Sequence, residues 1–346
     1  MIPAKGYASQ NPEADLAPWN FQIREVGPHD VQIRIMYCGV CHTDLHQMKN
    51  DWFPGIFPMV PGHEIVGEVV KTGGHVKKFQ PGDRAGVGTM VDTCGSCHDC
   101  TNGHEQFCSE GAVWTYNSMG KDGHPTYGGY ANTIVVNENF AFQVSKTLDP
   151  AGVGPLLCAG ITTYSPLRRF NVGKGHRLAV LGLGGLGHMA VKFGLAFGAD
   201  VTVLSNSPVK RQAALDLGAH HFVDTSDTGQ MVEVKGSFDF IIDCVSAKHD
   251  LNLYLGLLRT NGVHICVGLP VEPYEISPFS LLSGNKSVVG TGAGGLQETQ
   301  EMLDFCATHQ ITADVELIDI KNIQAAFERM VRGDVRYRFV IDLNSL

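Results

Sequence analysis

Three features of the 346-residue sequence predict an α/β protein built in two parts. Residues before about 155 read as β-strands joined by long loops. From about Cys158 onward, short apolar strands alternate with helical segments, the rhythm of βαβ units in a doubly wound parallel sheet. A glycine-rich turn, Gly182 to Gly187, links one of those strands to one of those helices. The length suits two domains of ordinary size. The expected boundaries are 1–157, 158–287, and a segment 288–346 that returns to the first domain.

In chain order, Val31 to Ile35 alternates apolar and polar residues, as a half-buried strand does. His63 to Val70 and Ala131 to Val136 read as strands too, separated by loops such as Phe53-Pro54-Gly55 and Val60-Pro61-Gly62. Leu178 to Leu181 is a short apolar strand, Leu186 to Gly198 has helical spacing, and Val201 to Leu204 is a second strand. A helix over Pro208 to Leu217 has Pro at its start and Gly218 just past its end. Further strands are expected at Phe222-Val223, Phe238 to Cys244 and Val263 to Val267, with a helix around Leu251 to Leu258. Two helices, Leu296 to His309 and Ile323 to Val331, precede a last strand, Tyr337 to Leu343, expected to pack against the first domain.

Composition narrows the function. With 26 Lys and Arg against 35 Asp and Glu, the net charge is −9, and no basic run stands out. That argues against nucleic acid or an anionic membrane as a partner. The N-terminus, Met1 to Gly6, has no apolar signal segment, and the apolar stretch Leu178 to Val191 is too short to span a bilayer. A soluble protein is expected. Glycine, 41 residues or roughly 12% against about 7% on average, points to tight turns and close backbone approach to ligands. Clustered cysteines in a long chain without an export signal are metal ligands rather than disulfides, and they imply a reducing compartment.

Cys94, Cys97, Cys100 and Cys108 fall in one short segment with Gly95, Asn102 and Gly103 between them. Two-residue gaps fold neighbouring thiols onto one point, as a closed four-thiolate zinc site requires. Such a site serves stability. A second, dispersed set comprises Cys41, His63 with Glu64, and Cys158. Two thiols and an imidazole suit a catalytic zinc, which keeps a fourth position open. Cys38, Cys244, Cys266 and Cys306 lack such context and are expected in the core.

Gly182-Leu183-Gly184-Gly185-Leu186-Gly187 fits the G-x-G-x-x-G pattern, after a strand and before a helix. Gly182 permits the turn, Gly184 lets amides approach a pyrophosphate, and Gly187 allows close helix–strand packing. The next strand runs into Ser205-Asn206-Ser207-Pro208-Val209-Lys210-Arg211 rather than ending in Asp or Glu. Hydroxyls and cations there suit a ribose 2′-phosphate, so NADP(H) is the expected dinucleotide.

Taken with Cys41 to His46, Gly62-His63-Glu64, Cys158 to Tyr164 and Asp334 to Val340, these motifs resemble the zinc-dependent medium-chain alcohol dehydrogenases. More narrowly they resemble the cinnamyl alcohol dehydrogenase branch, over essentially the whole chain. The resemblance implies a Rossmann domain beside a β-rich, GroES-like catalytic domain. It implies two zinc ions per subunit: one catalytic on Cys41, His63 and Cys158 with Glu64 beside it, one structural on Cys94, Cys97, Cys100 and Cys108. It further implies that Asp44 orients His63, that Thr43 bonds the substrate oxygen and that His46 passes the proton to solvent. Trp52 and Trp114 would line the substrate pocket. NADP(H) would be held by Gly182, Gly184, Gly185, Leu186, Gly187 and Thr162, with Ser205, Asn206, Ser207 and Lys210 around the 2′-phosphate. Asn206 departs from the serine many relatives carry, and Gly290 to Gly295 is unusually glycine-rich. The implied activity is reversible oxidation of primary alcohols to aldehydes by a cytoplasmic homodimer. A polyol or secondary-alcohol dehydrogenase would be expected to use NAD and carry an acidic residue near position 205. A non-catalytic NADPH-binding relative need not keep Thr43, His46 and the three ligands together.

Overall fold

Alternation along Asp30–Gly39 sends Val31, Ile33 and Ile35 into the core of the first unit, each at most 2% exposed. The computed structural model describes residues 1–346 and divides into two units, one formed by Met1–Ile161 with Gly294–Leu346 and the other by Thr162–Ala293. In the first, Asp30–Gly39 is central. It pairs antiparallel with Ile65–Thr72, with Thr133–Asn137 and with the last strand, Arg338–Asp342. The sheet runs Val315–Asp319, Arg338–Asp342, Asp30–Gly39, Ile65–Thr72, Arg84–Val87, Ala141–Gln143. Val340 lies opposite Gly39, so the C-terminal strand does return to the first unit. His63 and Glu64, expected inside a strand, precede the one that starts at Ile65. That leaves both side chains outside the ladder.

The second unit is a six-stranded parallel sheet. Its spatial order is His221–Asp224, Asp200–Ser205, Arg177–Leu181, Phe238–Asp243, Leu258–Cys266, Ser287–Gly290. Numbered along the chain this is 3-2-1-4-5-6, the doubly wound order, whose ligand crevice lies at the carboxyl ends where the order reverses. The helix after the glycine turn spans Gly187–Ala196, and Gly198 just beyond it has φ 83°. The segment Pro208 to Leu217 is not one helix. Pro208–Lys210 forms a 3-10 turn and Arg211–Asp216 the α-helix. The helix expected to reach Leu258 stops at Leu255 because Leu258 already begins a strand.

Cys38 and Cys306 are fully buried, as expected, but Cys244 and Cys266 are only half-buried at the ends of neighbouring strands. Both were expected in the core. They sit at the sheet's carboxyl edge, where the strands run into loops. No helix is long and apolar enough to cross a membrane.

Candidate active site and metal centres

Cys41 precedes the helix His42–Met48, and Asp44, at its third position, accepts the Cys41 N–H at 2.9 Å. That is half of a capping box. The buried carboxylate also accepts the Tyr130 hydroxyl at 3.0 Å and the Gly62 N–H at 3.1 Å. Held by three donors, Asp44 presents Oδ1 to His63 Nδ1 at 3.2 Å. The Tyr116 ring stacks on the imidazole at 5.8 Å. Burial by itself would lower the His63 pKa, yet the Asp44 charge raises it well above the ordinary value.

Around this imidazole the dispersed donors converge. One ligand atom each from Cys41, His63, Glu64 and Cys158 lie within 4.8 Å of one another. Cys41 Sγ is 4.0 Å from Cys158 Sγ and 3.5 Å from Thr43 Oγ1. The hydrogen bond from the Cys158 thiol draws the Cys41 pKa well down and pushes that of Cys158 well up, so one thiolate is favoured. Glu64 is fully buried, and burial pushes its pKa up to about 7 although Arg338 lies beside it. Arg338 Nη2 donates to Glu64 Oε1, whereas Glu64 Oε2 has no partner. Gly39 makes room for this carboxylate, since a Cβ there would fall 1.8 Å from Glu64 Oε2. Two thiols, an imidazole and a carboxylate with a free oxygen fit a zinc ion.

The second cluster is as close. One sulfur each from Cys94, Cys97, Cys100 and Cys108 lie within 4.8 Å of one another. Backbone N–H groups of Ser96 and Cys97 point at Cys94 Sγ, at 3.5 and 3.3 Å, and the Cys94 N–H points at Cys108 Sγ. N–H groups of Cys100 and Ser109 pull the Cys97 thiol down to about 5. Gly95 and Gly103 adopt φ 72° and 76°, the left-handed turns that wrap the loop. Four thiols with amide support fit a closed zinc site.

His46 Nδ1 is 2.7 Å from Asp51 Oδ2, and its ring lies 4.7 Å from that of Trp52. Trp52 is half-buried with its Nε1 unpartnered, while Trp114 is 42% exposed on a two-residue strand. Arg338, Tyr130 and Asp51 received no role from the sequence. Arg338 stood within a quoted motif, and Asp51 lies five residues from His46, but nothing local linked either to its partner.

In the second unit, Gly182 has φ 87°, and a Cβ at Gly187 would fall 1.9 Å from the Gly182 carbonyl oxygen. A Cβ at Gly184 would meet nothing within 4 Å, leaving an open cradle over the amides that begin the helix. Gly185 and Leu186 complete the turn into Gly187–Ala196. Lys210 Nζ donates to the Leu183 carbonyl at 2.9 Å, and Ser205 Oγ accepts the Ser207 N–H at 3.2 Å. The two serines and Lys210 thus gather beside the turn. Asn206 is exposed, and Thr162 is half-buried on the helix Ala159–Arg169. These residues fit a phosphorylated dinucleotide. Gly187→Ala is expected to raise the dinucleotide dissociation constant at least about tenfold, because a 1.9 Å contact with backbone must displace the turn. Fluorescence titration with NADPH checks it.

Residues 27–146 match the family described as "Alcohol dehydrogenase GroES-like domain", and residues 185–308 the one described as "Zinc-binding dehydrogenase". The chain belongs to the zinc-binding alcohol dehydrogenases. It is 51% identical to the "Probable formaldehyde dehydrogenase AdhA" of Bacillus subtilis over 93% of both chains. It is 47% identical to the "NADP-dependent alcohol dehydrogenase C" of Mycobacterium tuberculosis over the full length of both. Among solved structures, a cinnamyl alcohol dehydrogenase of Helicobacter pylori complexed with NADP(H) superposes with a TM-score of 0.94 at 42% identity, covering 99% of each chain. This alcohol dehydrogenase therefore combines a GroES-like unit with a Rossmann-type parallel sheet, as its sequence predicts.

Proposed function

We propose that this alcohol dehydrogenase interconverts primary alcohols, cinnamyl-type and aliphatic, with their aldehydes using NADP(H). The convergence of Cys41, His63, Glu64 and Cys158 around an Asp44-held imidazole carries the reading. When bound, zinc supplies Lewis acidity toward the substrate oxygen, and the nicotinamide accepts or returns hydride. Cys41, His63 and Cys158 hold the catalytic ion, with Glu64 as an alternative donor restrained by Arg338. Asp44 orients His63, as outer partners of metal ligands do. Thr43, beside Cys41, hydrogen-bonds the substrate oxygen. His46, backed by Asp51, takes the released proton toward solvent. Trp52 and Trp114 line the pocket. Cys94, Cys97, Cys100 and Cys108 hold a structural ion.

Gly182, Gly184, Gly185, Leu186, Gly187 and Thr162 hold the dinucleotide, and Ser205, Asn206, Ser207 and Lys210 surround its 2′-phosphate. Lys210→Ala is expected to weaken NADPH roughly 10- to 100-fold relative to NADH, since a charge-assisted hydrogen bond is worth about 1.5–3 kcal/mol. Equal weakening of both cofactors would reject the 2′-phosphate role. The activity itself is tested by NADPH oxidation with cinnamaldehyde and with an aliphatic aldehyde, each with and without a chelator. Turnover of both, abolished by metal removal, is expected; chelator-resistant turnover or none with either aldehyde would refute it.

A homodimer formed through the nucleotide-binding unit is part of the same reading. Ser287–Gly290 is an edge strand, and Phe279 and Leu282 nearby in sequence are 80% and 75% exposed. An open edge with exposed apolar side chains is a surface that association covers. Two thiol clusters serving as ligands support a reducing, cytoplasmic setting.

A further inference from the structure

The second unit holds a third group of metal-binding side chains, separate from both thiol clusters. Asp243 closes the strand Phe238–Asp243 and lies in register with Cys266, the last residue of Leu258–Cys266. His264, two residues earlier, shares the face of Cys266. A carboxylate oxygen of Asp243, a ring nitrogen of His264 and Cys266 Sγ all lie within 4.8 Å of one another. Asp243 and His264 are almost completely buried.

Asp243 is the hub of the hydrogen bonds in this group. Asp243 Oδ1 accepts the Val245 N–H at 3.0 Å, and Oδ2 faces two imidazoles, His249 Nε2 at 2.8 Å and His264 Nε2 at 3.1 Å. The other nitrogen of His249, Nδ1, lies 2.8 Å from the Ala247 carbonyl oxygen. His249 therefore stands between two acceptors: its neutral form has a proton for one, and a second proton, opposed by burial but favoured by the hydrogen bond to Asp243, serves the other. Beside it, the Tyr274 ring packs at 5.2 Å, and the Tyr274 hydroxyl and His264 Nδ1 are buried without partners.

We propose that Asp243, His264 and Cys266 form a third metal site for a zinc-class divalent cation. Sulfur, nitrogen and oxygen donors together suit that class. Tetrahedral coordination at about 2.1 Å separates N and O donors by about 3.4 Å, so the 3.1 Å between His264 Nε2 and Asp243 Oδ2 need open by only a few tenths of an ångström. On binding, Cys266 gives its thiol proton to solvent, and the proton on His264 Nε2 is exchanged for one on Nδ1. The ion, one thiolate and one carboxylate sum to zero charge, which a buried site demands.

The test titrates the zinc-loaded enzyme with Co²⁺. One further equivalent per chain is expected, with a sulfur-to-cobalt charge-transfer band. The band should vanish in Cys266→Ser, and cobalt affinity should fall at least about tenfold in His264→Leu. No band in the wild type, a band that survives in Cys266→Ser, or binding without a band would overturn the site. Should Cys266→Ser fail to fold, His264→Leu decides the same question. The comparison is between proteins that already carry their first two ions. Its failure is therefore distinct from failure of the two-zinc reading, which appears as low zinc content before any cobalt is added.

Discussion

Cys41→Ala is expected to abolish turnover, a loss of at least about a thousandfold, because Lewis-acid stabilisation is worth several kcal/mol. Cys41 supplies one of only two thiols in its cluster, and Cys158 lies 4.0 Å away with no other sulfur in the group. Bound zinc should fall by one equivalent, leaving the ion among the clustered thiols at 94–108. NADPH affinity should change less than about twofold, since the glycine turn and Lys210 belong to the other unit. Elemental analysis, initial rates and fluorescence titration on one preparation check all three. A variant that keeps both ions and near-normal rates would overturn the assignment of the catalytic metal.

Arg338→Met is expected to cost about 3–5 kcal/mol of stability, the usual penalty for removing one partner of a buried ion pair. The pair is enclosed, with Arg338 5% exposed and Glu64 not at all. Burial already opposes the Glu64 charge, and Arg338 is the cation that offsets it. Adding Glu64→Gln to Arg338→Met should therefore recover much of the loss. Urea unfolding midpoints of the two single variants and the double variant measure the coupling. A loss below about 1 kcal/mol in Arg338→Met would mean that the pair contributes little and that Glu64 is held by other contacts.

Where periodicity was strong, local reading and structure coincide. Leu296–His309 and Ile323–Val331 form helices with the bounds their spacing predicts. The strands around the glycine turn, Arg177–Leu181 and Asp200–Ser205, each extend one residue past an expected end, where fraying and caps decide. The hairpin Ile2–Ala8 with Ala17–Ile23 was not legible because Pro3 and Pro18 interrupt its pattern. Helix Ala159–Arg169 contains Pro166, and strand Ser287–Gly290 is only four residues long, so both lacked a local signature. The donor atoms were legible from residue type and spacing; their common meeting point was not a local property. Glu64 and Arg338 are 274 residues apart, and Tyr130 and Asp44 are 86 apart.

The amino-acid sequence by itself determined the chemistry on offer: which thiols, imidazoles and glycines exist, and which neighbouring ones fold onto one point. Short-range spacing suffices for the four clustered cysteines, because a few backbone dihedrals bring them together. Only the tertiary structure decided that Arg338 would face Glu64, that Asp44 Oδ1 would lie 3.2 Å from His63 Nδ1, and that Asp243 would meet two histidines and a thiol. Those meetings depend on strand register between distant segments and on burial, which sets the charge each group carries. Neither is encoded in the residues immediately beside them.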